Sequence, residues 1–323
     1  MKSGDIMKHR GELFALAELW VVLFHLNLYC PCHLYVPNFI AKHGNIGVDI
    51  FLFLSGLGLS FSLEKNSVKQ FYLHRIKRVL LPSVCVAFAE ALALCAVRGS
   101  FSARYVVLYG TLLSYWVDGD IGMWYISFIL LLYALFPLIK EMDRRTKHIG
   151  TLAVLAACVL VSVLDVFRFT PFVQTYEKAI SRVPVFLCGV LAYPAVKKDK
   201  ARRPALLLGS LLALAALLWA GNRHLAGLSR FCMGAEGIFA VYLYTFIRDK
   251  VKLDCFGKWL NPIGAASLEL YVVHVTLLEI WTGVEALSHL PWFVSWICVF
   301  CLSMTIALAM HVLFERLWRR KTV

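Results

Sequence analysis

Ten apolar stretches recur along this chain, most of them near the length at which a helix can cross a bilayer. They fall at roughly 13–30, 46–63, 79–97, 124–140, 149–166, 183–196, 203–220, 231–247, 263–281 and 293–313. Ten spans of about 20 residues each need roughly 200 apolar residues. The composition supplies them: of 323 residues, 60% are hydrophobic and only 16% are charged. A soluble chain carries about 25% charged residues, so a water-soluble fold of this size lacks the polar surface to cover itself. The same numbers exclude a disordered, collagen-like or disulfide-stapled chain. The expected fold class is all-α, a polytopic membrane helix bundle. It is expected to form a single domain over residues 1–323 with no appended soluble domain.

The segment 105–116 is apolar but short, and reads as an interfacial or re-entrant helix. The first stretch runs on without a small-residue cleavage site and holds Glu18 and His25, so it reads as a retained span. The formal net charge of +13 would suggest nucleic acid in a soluble protein. Threaded through a membrane with the N-terminus inside, 25 of the 33 Lys and Arg residues fall in inside segments and 8 outside. That bias supports ten spans with both termini cytoplasmic and sets the nucleic-acid reading aside.

Ionisable side chains within a span are costly, so each is a functional candidate. They are Glu18, His25, Asp49, Glu90, Glu236, Glu269, His274, His311 and Glu315, joined by the polar Ser55. A satisfied contact between helices is the competing reading for any one of them. His311 and Glu315 read as a local pair at four-residue spacing. Glu18 and His25 are more informative. Seven residues apart, they lie about 20° off one face and about 10 Å apart along the axis. They can line one channel without touching. A histidine in such a stripe suits general-base work on a hydroxyl. Ser267, Tyr271 and His274 form a second polar stripe, at i, i+4 and i+7.

The stretch Phe71–Pro82 (FYLHRIKRVLLP) precedes the third span. Arg75 and Arg78 share a helix face at three-residue spacing, with His74 and Lys77 beside them. Two readings stand: a topology anchor at the membrane surface, or a clamp for a phosphate-rich ligand, since arginine grips phosphate with a planar fork of donors. Cys30 and Cys32 flank Pro31 too closely for an easy disulfide. Cys298 and Cys301 read as small packing residues. No His/Cys spacing resembles a zinc site, and no metal is expected. Gly56 and Gly58 suggest close helix contact.

These pieces stand in a definite order. LWVVLFH (Leu19–His25) is followed by GNIGVDIFLFLSGLGLSFSLEKN (Gly44–Asn66), FYLHRIKRVLLP, MWYISFILLLYALFPLI (Met123–Ile139) and SLELYVVH (Ser267–His274). The order resembles the integral membrane acyltransferase 3 family over essentially the whole chain. The resemblance implies a donor acyl-CoA, usually acetyl-CoA, on the cytoplasmic side. It implies an acceptor hydroxyl on a cell-surface or lipid-linked glycan, in the bacterial cytoplasmic membrane. By position it makes His25 the essential first-span histidine and Arg75 and Arg78 the cytoplasmic arginine pair. Gly47, Asp49, Ser55 and Gly56 match the second-span signature, and Trp124, Tyr125, Tyr271 and His274 match later positions. Many members carry an arginine eleven residues before the histidine. Here that position is Phe14, with Arg10 one turn earlier, and Glu18 replaces a usual small residue.

The expected catalytic set is therefore His25, Glu18, Ser55, Tyr271 and His274. The donor set is Arg75, Arg78, Lys77 and Arg10, and the acceptor set is Asp49, Trp124 and Tyr125. Some relatives carry an extracytoplasmic domain that completes the transfer, so a separate transfer partner is a further expectation. Two competing readings remain: a transporter or flippase of a glycolipid or small anion, which predicts internal repeats and broken helices, and a non-catalytic family member.

Overall fold

The computed structural model describes residues 5–163, 171–198, 228–251 and 254–319. Among the described residues the chain is all-helical. In order, the helices are α1 (Asp5–Lys8), α2 (Arg10–Tyr29), α3 (Tyr35–Lys42), α4 (Ile46–Lys65), α5 (Val68–Arg75), α6 (Leu81–Val97), α7 (Ala103–Gly110), α8 (Ser114–Asp118) and α9 (Trp124–Arg145). They continue as α10 (Ile149–Val163), α11 (Pro171–Ile180), α12 (Val183–Lys197), α13 (Leu228–Lys250), α14 (Asp254–Ala265), α15 (Ser267–Gly283), α16 (Glu285–Ser288) and α17 (Trp292–Arg319).

Among the described residues, six helical segments are long and apolar enough to cross a bilayer: Arg10–Tyr29, Tyr35–Lys65, Val68–Val97, Trp124–Arg145, Thr175–Lys197 and Trp292–Leu317. A seventh results if Cys255–Ala265 and Ser267–Gly283, bent by 65°, count as one broken span. The ten-span expectation is therefore met only in part. The stretch 203–220 lies outside the described residues. The stretch 149–166 yields the shorter apolar helix Ile149–Ser162. The stretch 231–247 folds as α13, which carries Glu236, Tyr242 and Tyr244 and is not among the six. Segment 105–116 forms parts of two short helices, α7 and α8, with Leu112 between them at φ 63°. Large apolar side chains such as Ile297, Leu302, Val312 and Leu313 on α17 are exposed, the surface expected of a helix that meets lipid.

Helix ends follow local chemistry. Helix α2 stops two residues before Pro31, because proline disfavours helical backbone in the residue before it. Pro82 and Pro184 sit at the starts of α6 and α12, where a missing N–H costs nothing. Lys65, Arg144, Arg145 and Lys197 occupy last turns, where cations complement the helix dipole.

The chain packs as two compact units. Unit one is Met1–Leu13, Ile46–Tyr72 and Leu131–Lys258. Its centre is α4, buried without interruption from Ile46 to Ser60. Helix α12 approaches it through glycine. A Cβ on Gly56 would lie 2.2 Å from the Phe186 carbonyl oxygen, and one on Gly189 would lie 2.2 Å from that of Phe53. This reciprocal contact is how small residues bring backbones together in apolar surroundings. Gly237 of α13 packs similarly against Asp49.

Unit two is Phe14–Asn45, Leu73–Leu130 and Trp259–Val323. Val22 and Leu26 of α2 pack with Leu270 and Leu278 of α15 and with Val299 and Ala307 of α17. This packing holds α2 and α15 together and sets the polar stripes of the two helices side by side.

Candidate active site

The stripe of α2 and the stripe of α15 meet in unit two. His274 Nε2 lies 3.0 Å from His25 Nδ1, and the two ring centroids are 4.9 Å apart. His274 is fully buried and His25 half-buried. The hydrogens follow from the acceptors around them, since a neutral imidazole has one N–H and one bare nitrogen. His274 Nδ1 is 2.8 Å from the Leu270 carbonyl oxygen, which can only accept, so the proton sits on Nδ1 and Nε2 is bare. His25 Nδ1 then faces two acceptors, His274 Nε2 and the Val21 carbonyl oxygen at 3.1 Å. It carries the N–H, and the lone pair of neutral His25 is on Nε2.

Glu18 completes the row. It is fully buried, and its Oε1 is 3.6 Å from His274 Nδ1. That is beyond hydrogen-bond reach. Among the described residues neither Glu18 oxygen has a hydrogen-bond partner. The sequence left Glu18 and His25 about 10 Å apart on one helix. His274, from a distant part of the chain, occupies the space between them.

Aromatic rings wall the row. Tyr271 stands edge-on to His274 at 5.7 Å, Tyr125 is 5.0 Å from Tyr271, and Trp124 is 6.0 Å from Tyr125. Phe24 stands edge-on to His25 at 5.2 Å. The catalytic candidates His25, Glu18, His274 and Tyr271 are thus gathered with the acceptor candidates Trp124 and Tyr125.

The other candidates lie elsewhere. Ser55 and Asp49 are buried in unit one. Asp49 Oδ1 is 3.4 Å from Arg182 Nε, and both side chains are buried. Sequence reasoning placed Arg182 among the outside loop cations, so this pairing was missed. Arg10 also belongs to unit one, with its guanidinium against Gly58, where a Cβ would meet Arg10 Cζ at 3.3 Å. Arg75 and Arg78 belong to unit two; Arg75 caps a π turn, Ile76–Leu80, and Arg78 lies within it. The wider turn replaces the α-helical geometry from which their shared face was predicted. Arg75 is half-buried, while Lys77 and Arg78 are exposed.

Unit two holds a second polar group that only Glu90 foreshadowed. Glu90 is buried, with no hydrogen-bond partner for either carboxylate oxygen among the described residues. Glu279, at the end of α15, is 3.5 Å from Tyr29 Oη and 3.4 Å from Arg98 Nη2. Arg98 stacks over Tyr105 at 5.4 Å. Burial pushes the Tyr105 phenol up to about 12, so it stays a neutral hydrogen-bonding group. A glutamate five residues beyond His274 was the available sequence signal for Glu279. His311 Nδ1 bonds Glu269 at 3.0 Å, with Glu315 at 4.0 Å from Nε2. The pair expected within one helix therefore reaches to a second. No group of three or more His, Cys, Asp or Glu side chains is placed to hold a metal among the described residues.

Long apolar helices, with Glu18, His274 and His25 in a row between two of them, define a polytopic membrane protein. Comparison with protein families specifies the class. The family model described as an acyltransferase domain matches residues 15–312, nearly the whole chain. The chain belongs to that family and is a membrane acyltransferase. No curated protein and no solved structure gave a match.

Proposed function

We propose that this protein moves an acyl group, acetyl in the first instance, from acyl-CoA to a hydroxyl of a cell-surface or lipid-linked glycan. The observation that carries this reading is the 3.0 Å contact between His274 and His25. It leaves the His25 lone pair on Nε2, the atom that takes the acceptor hydroxyl proton. As that proton transfers, the alcohol oxygen bonds to the thioester carbonyl carbon. His25 becomes an imidazolium whose Nδ1–H is held by His274, with the Glu18 carboxyl group next in line. The tetrahedral intermediate collapses, the C–S bond breaks, and the thiolate takes the proton back from His25. Ester and CoA thiol are the products, so atoms and charge balance. Holding the base by a second group is the logic of hydrolase triads. Tyr271 supplies a hydroxyl donor to the developing oxyanion.

In this reading both termini are cytoplasmic, and the bundle is a single domain in a bacterial cytoplasmic membrane. Arg75, Arg78 and Lys77 attract the donor phosphates. Trp124 and Tyr125 line the acceptor side. Glu90 and Glu279 add carboxylates able to accept hydrogen bonds from sugar hydroxyls. A separate extracytoplasmic protein completes transfer if the ester forms first on a carrier. The test is transfer of labelled acetyl from acetyl-CoA to envelope glycan by the purified protein, compared with His25→Ala. Undiminished transfer by the variant removes His25 from the chemistry.

One observation favours a second reading, a transporter. The 65° bend between α14 and α15 is a broken span beside the polar stripe, as transporters use at their substrate sites. Movement of glycolipid across liposomes without an acyl donor would select that reading.

A further inference from the structure

Unit one contains a cavity of about 740 Å³. Such volumes are typical of small-ligand sites. Its apolar wall includes Leu63, Pro194 and the ring of Tyr193. Its charged rim comes from the last turn of α9 and the residues after it: Lys140, Arg144 and Lys147 against Glu141 and Asp143.

The acidic groups are already engaged. Glu141 accepts two hydrogen bonds from Arg144, at 2.8 and 2.7 Å, and a third from Arg145 at 2.6 Å. Asp143 is buried and sits 2.9 Å from His148 Nδ1, 2.7 Å from Thr151 Oγ1 and 3.5 Å from Lys140 Nζ. Lys140 also lies over the Tyr193 ring at 4.6 Å. The ammonium of Lys147 has no hydrogen-bond or ion-pair partner among the described residues. With both carboxylates occupied, the cavity presents positive charge beside a flat aromatic wall.

The backbone at Lys147 makes the point sharper. Lys147 and His148 have φ of 49° and 75°, the left-handed region that a Cβ disfavours. The His148 N–H donates to the Asp143 carbonyl at 2.9 Å, the six-to-one bond of a helix C-cap that glycine usually completes. A glycine would end α9 with less strain. The chain instead holds a lysine there, and the strained turn sets its side chain on the cavity rim. Strain of this kind gathers at ligand clamps.

We propose that this cavity binds a phosphate-bearing ligand, with Lys147 contacting the anion and Tyr193 packing against the rest of the ligand. Two sources share that chemistry, a soluble nucleotide and the headgroup of an anionic phospholipid. The proposal does not depend on the acyl-transfer reading, and its test needs no turnover.

The purified full chain in neutral detergent is unfolded by heat with adenosine diphosphate, with phosphatidylglycerol, or with phosphatidylcholine as the zwitterionic control. A ligand that binds the folded state raises the midpoint with concentration. Wild type is expected to shift with one of the first two probes and not with the control. Lys147→Gly relieves the left-handed strain, so without ligand it unfolds no earlier than wild type. Its apparent affinity for the active probe falls about tenfold, the loss expected of one charge-assisted hydrogen bond. Lys147→Asn, neutral and tolerant of left-handed backbone, shows the same loss. A shift with the nucleotide alone assigns a soluble ligand, and a shift with phosphatidylglycerol alone assigns a lipid. No shift with either probe, or undiminished affinity in both variants, overturns the proposal.

Discussion

His274 Nε2 accepts from His25 Nδ1 across 3.0 Å, and that contact decides which nitrogen of His25 can take a proton. A lone histidine on α2 would exchange freely between tautomers. The His274 ring, itself set by its bond to the Leu270 carbonyl, selects the form with a basic Nε2. If His25 is the base, as proposed, replacing it with Ala should lower kcat by about 10²- to 10⁴-fold, the usual contribution of general-base catalysis. His274→Ala leaves the base present but unheld. A smaller loss, between about ten- and a hundredfold in kcat at unchanged donor KM, is expected from steady-state acetyl transfer. Equal activity of His274→Ala and wild type would remove the dyad from the mechanism.

Glu18 is the third member of this row, its oxygen 3.6 Å from His274 Nδ1 and beyond hydrogen-bond reach. Glu18→Gln keeps the shape and removes the ionisable group. It should lower kcat about tenfold, with little change in either KM, if the carboxylate supports the imidazolium. If Glu18 acts through His274, the double variant Glu18→Gln/His274→Ala should be no slower than His274→Ala alone. Additive losses in that cycle would show that Glu18 acts elsewhere.

The parts of this site legible in sequence were those carried by periodicity within one helix. Glu18 and His25 fell on one stripe, and Ser267, Tyr271 and His274 on another. That these stripes face each other was not legible, because 249 residues separate His25 from His274 and periodicity says nothing about which helices are neighbours. The same limit hid Arg182. Its partner Asp49 is far away in sequence, and a lone arginine at a span boundary looks like a loop cation. For Arg75 and Arg78 the local rule assumed an α-helix, where the chain forms a π turn that includes Arg78. Of the ten apolar stretches, six coincide with helical segments long and apolar enough to cross a bilayer, and a seventh with the bent pair of α14 and α15. Those with polar interruptions or short lengths, such as α10 and α13, fell below span criteria even where they form helices.

The contact of α4 with α12 predicts intolerance of a single methyl group. A Cβ on Gly56 or Gly189 meets a carbonyl oxygen at 2.2 Å, and backbone cannot step aside as a flexible side chain could. Gly189→Ala and Gly56→Ala should each destabilise the protein by about 1–3 kcal/mol, the range for overpacking. Thermal unfolding in detergent measures this. Gly99→Ala provides the steric contrast. Nothing lies within 4 Å of its Cβ position, although its φ of 63° leaves some strain of its own.

Asp49 and Arg182 form a buried ion pair in unit one. Breaking such a pair from one side strands a charge and costs about 3–5 kcal/mol, whereas removing both partners is close to neutral. Asp49→Asn or Arg182→Leu alone should therefore reduce the unfolding midpoint strongly, and Asp49→Leu/Arg182→Leu should recover most of it. Recovery of stability with transfer activity would make the pair structural. Recovery of stability without activity would return Asp49 to the acceptor-binding role its position in the family pattern suggests.

The donor arginines should prove unequal. Both were expected to clamp phosphate from one face, yet Arg75 is half-buried at the start of the π turn while Arg78 is exposed within it. An exposed cation interacts through screened solvent and contributes little to affinity, about 0–1 kcal/mol, while still drawing an anion in at low salt. A partly buried arginine acts at lower dielectric, where a charge-assisted bond to phosphate is stronger. Arg75→Gln should raise the acetyl-CoA KM about tenfold at physiological salt. Arg78→Gln should raise it by no more than about fivefold, with the effect fading as salt screens the surface. Measuring KM for both variants from low to high ionic strength separates the cases. Equal effects with equal salt slopes would mean that the two arginines serve as one clamp despite their unequal burial, and no effect from either would leave them as topology anchors.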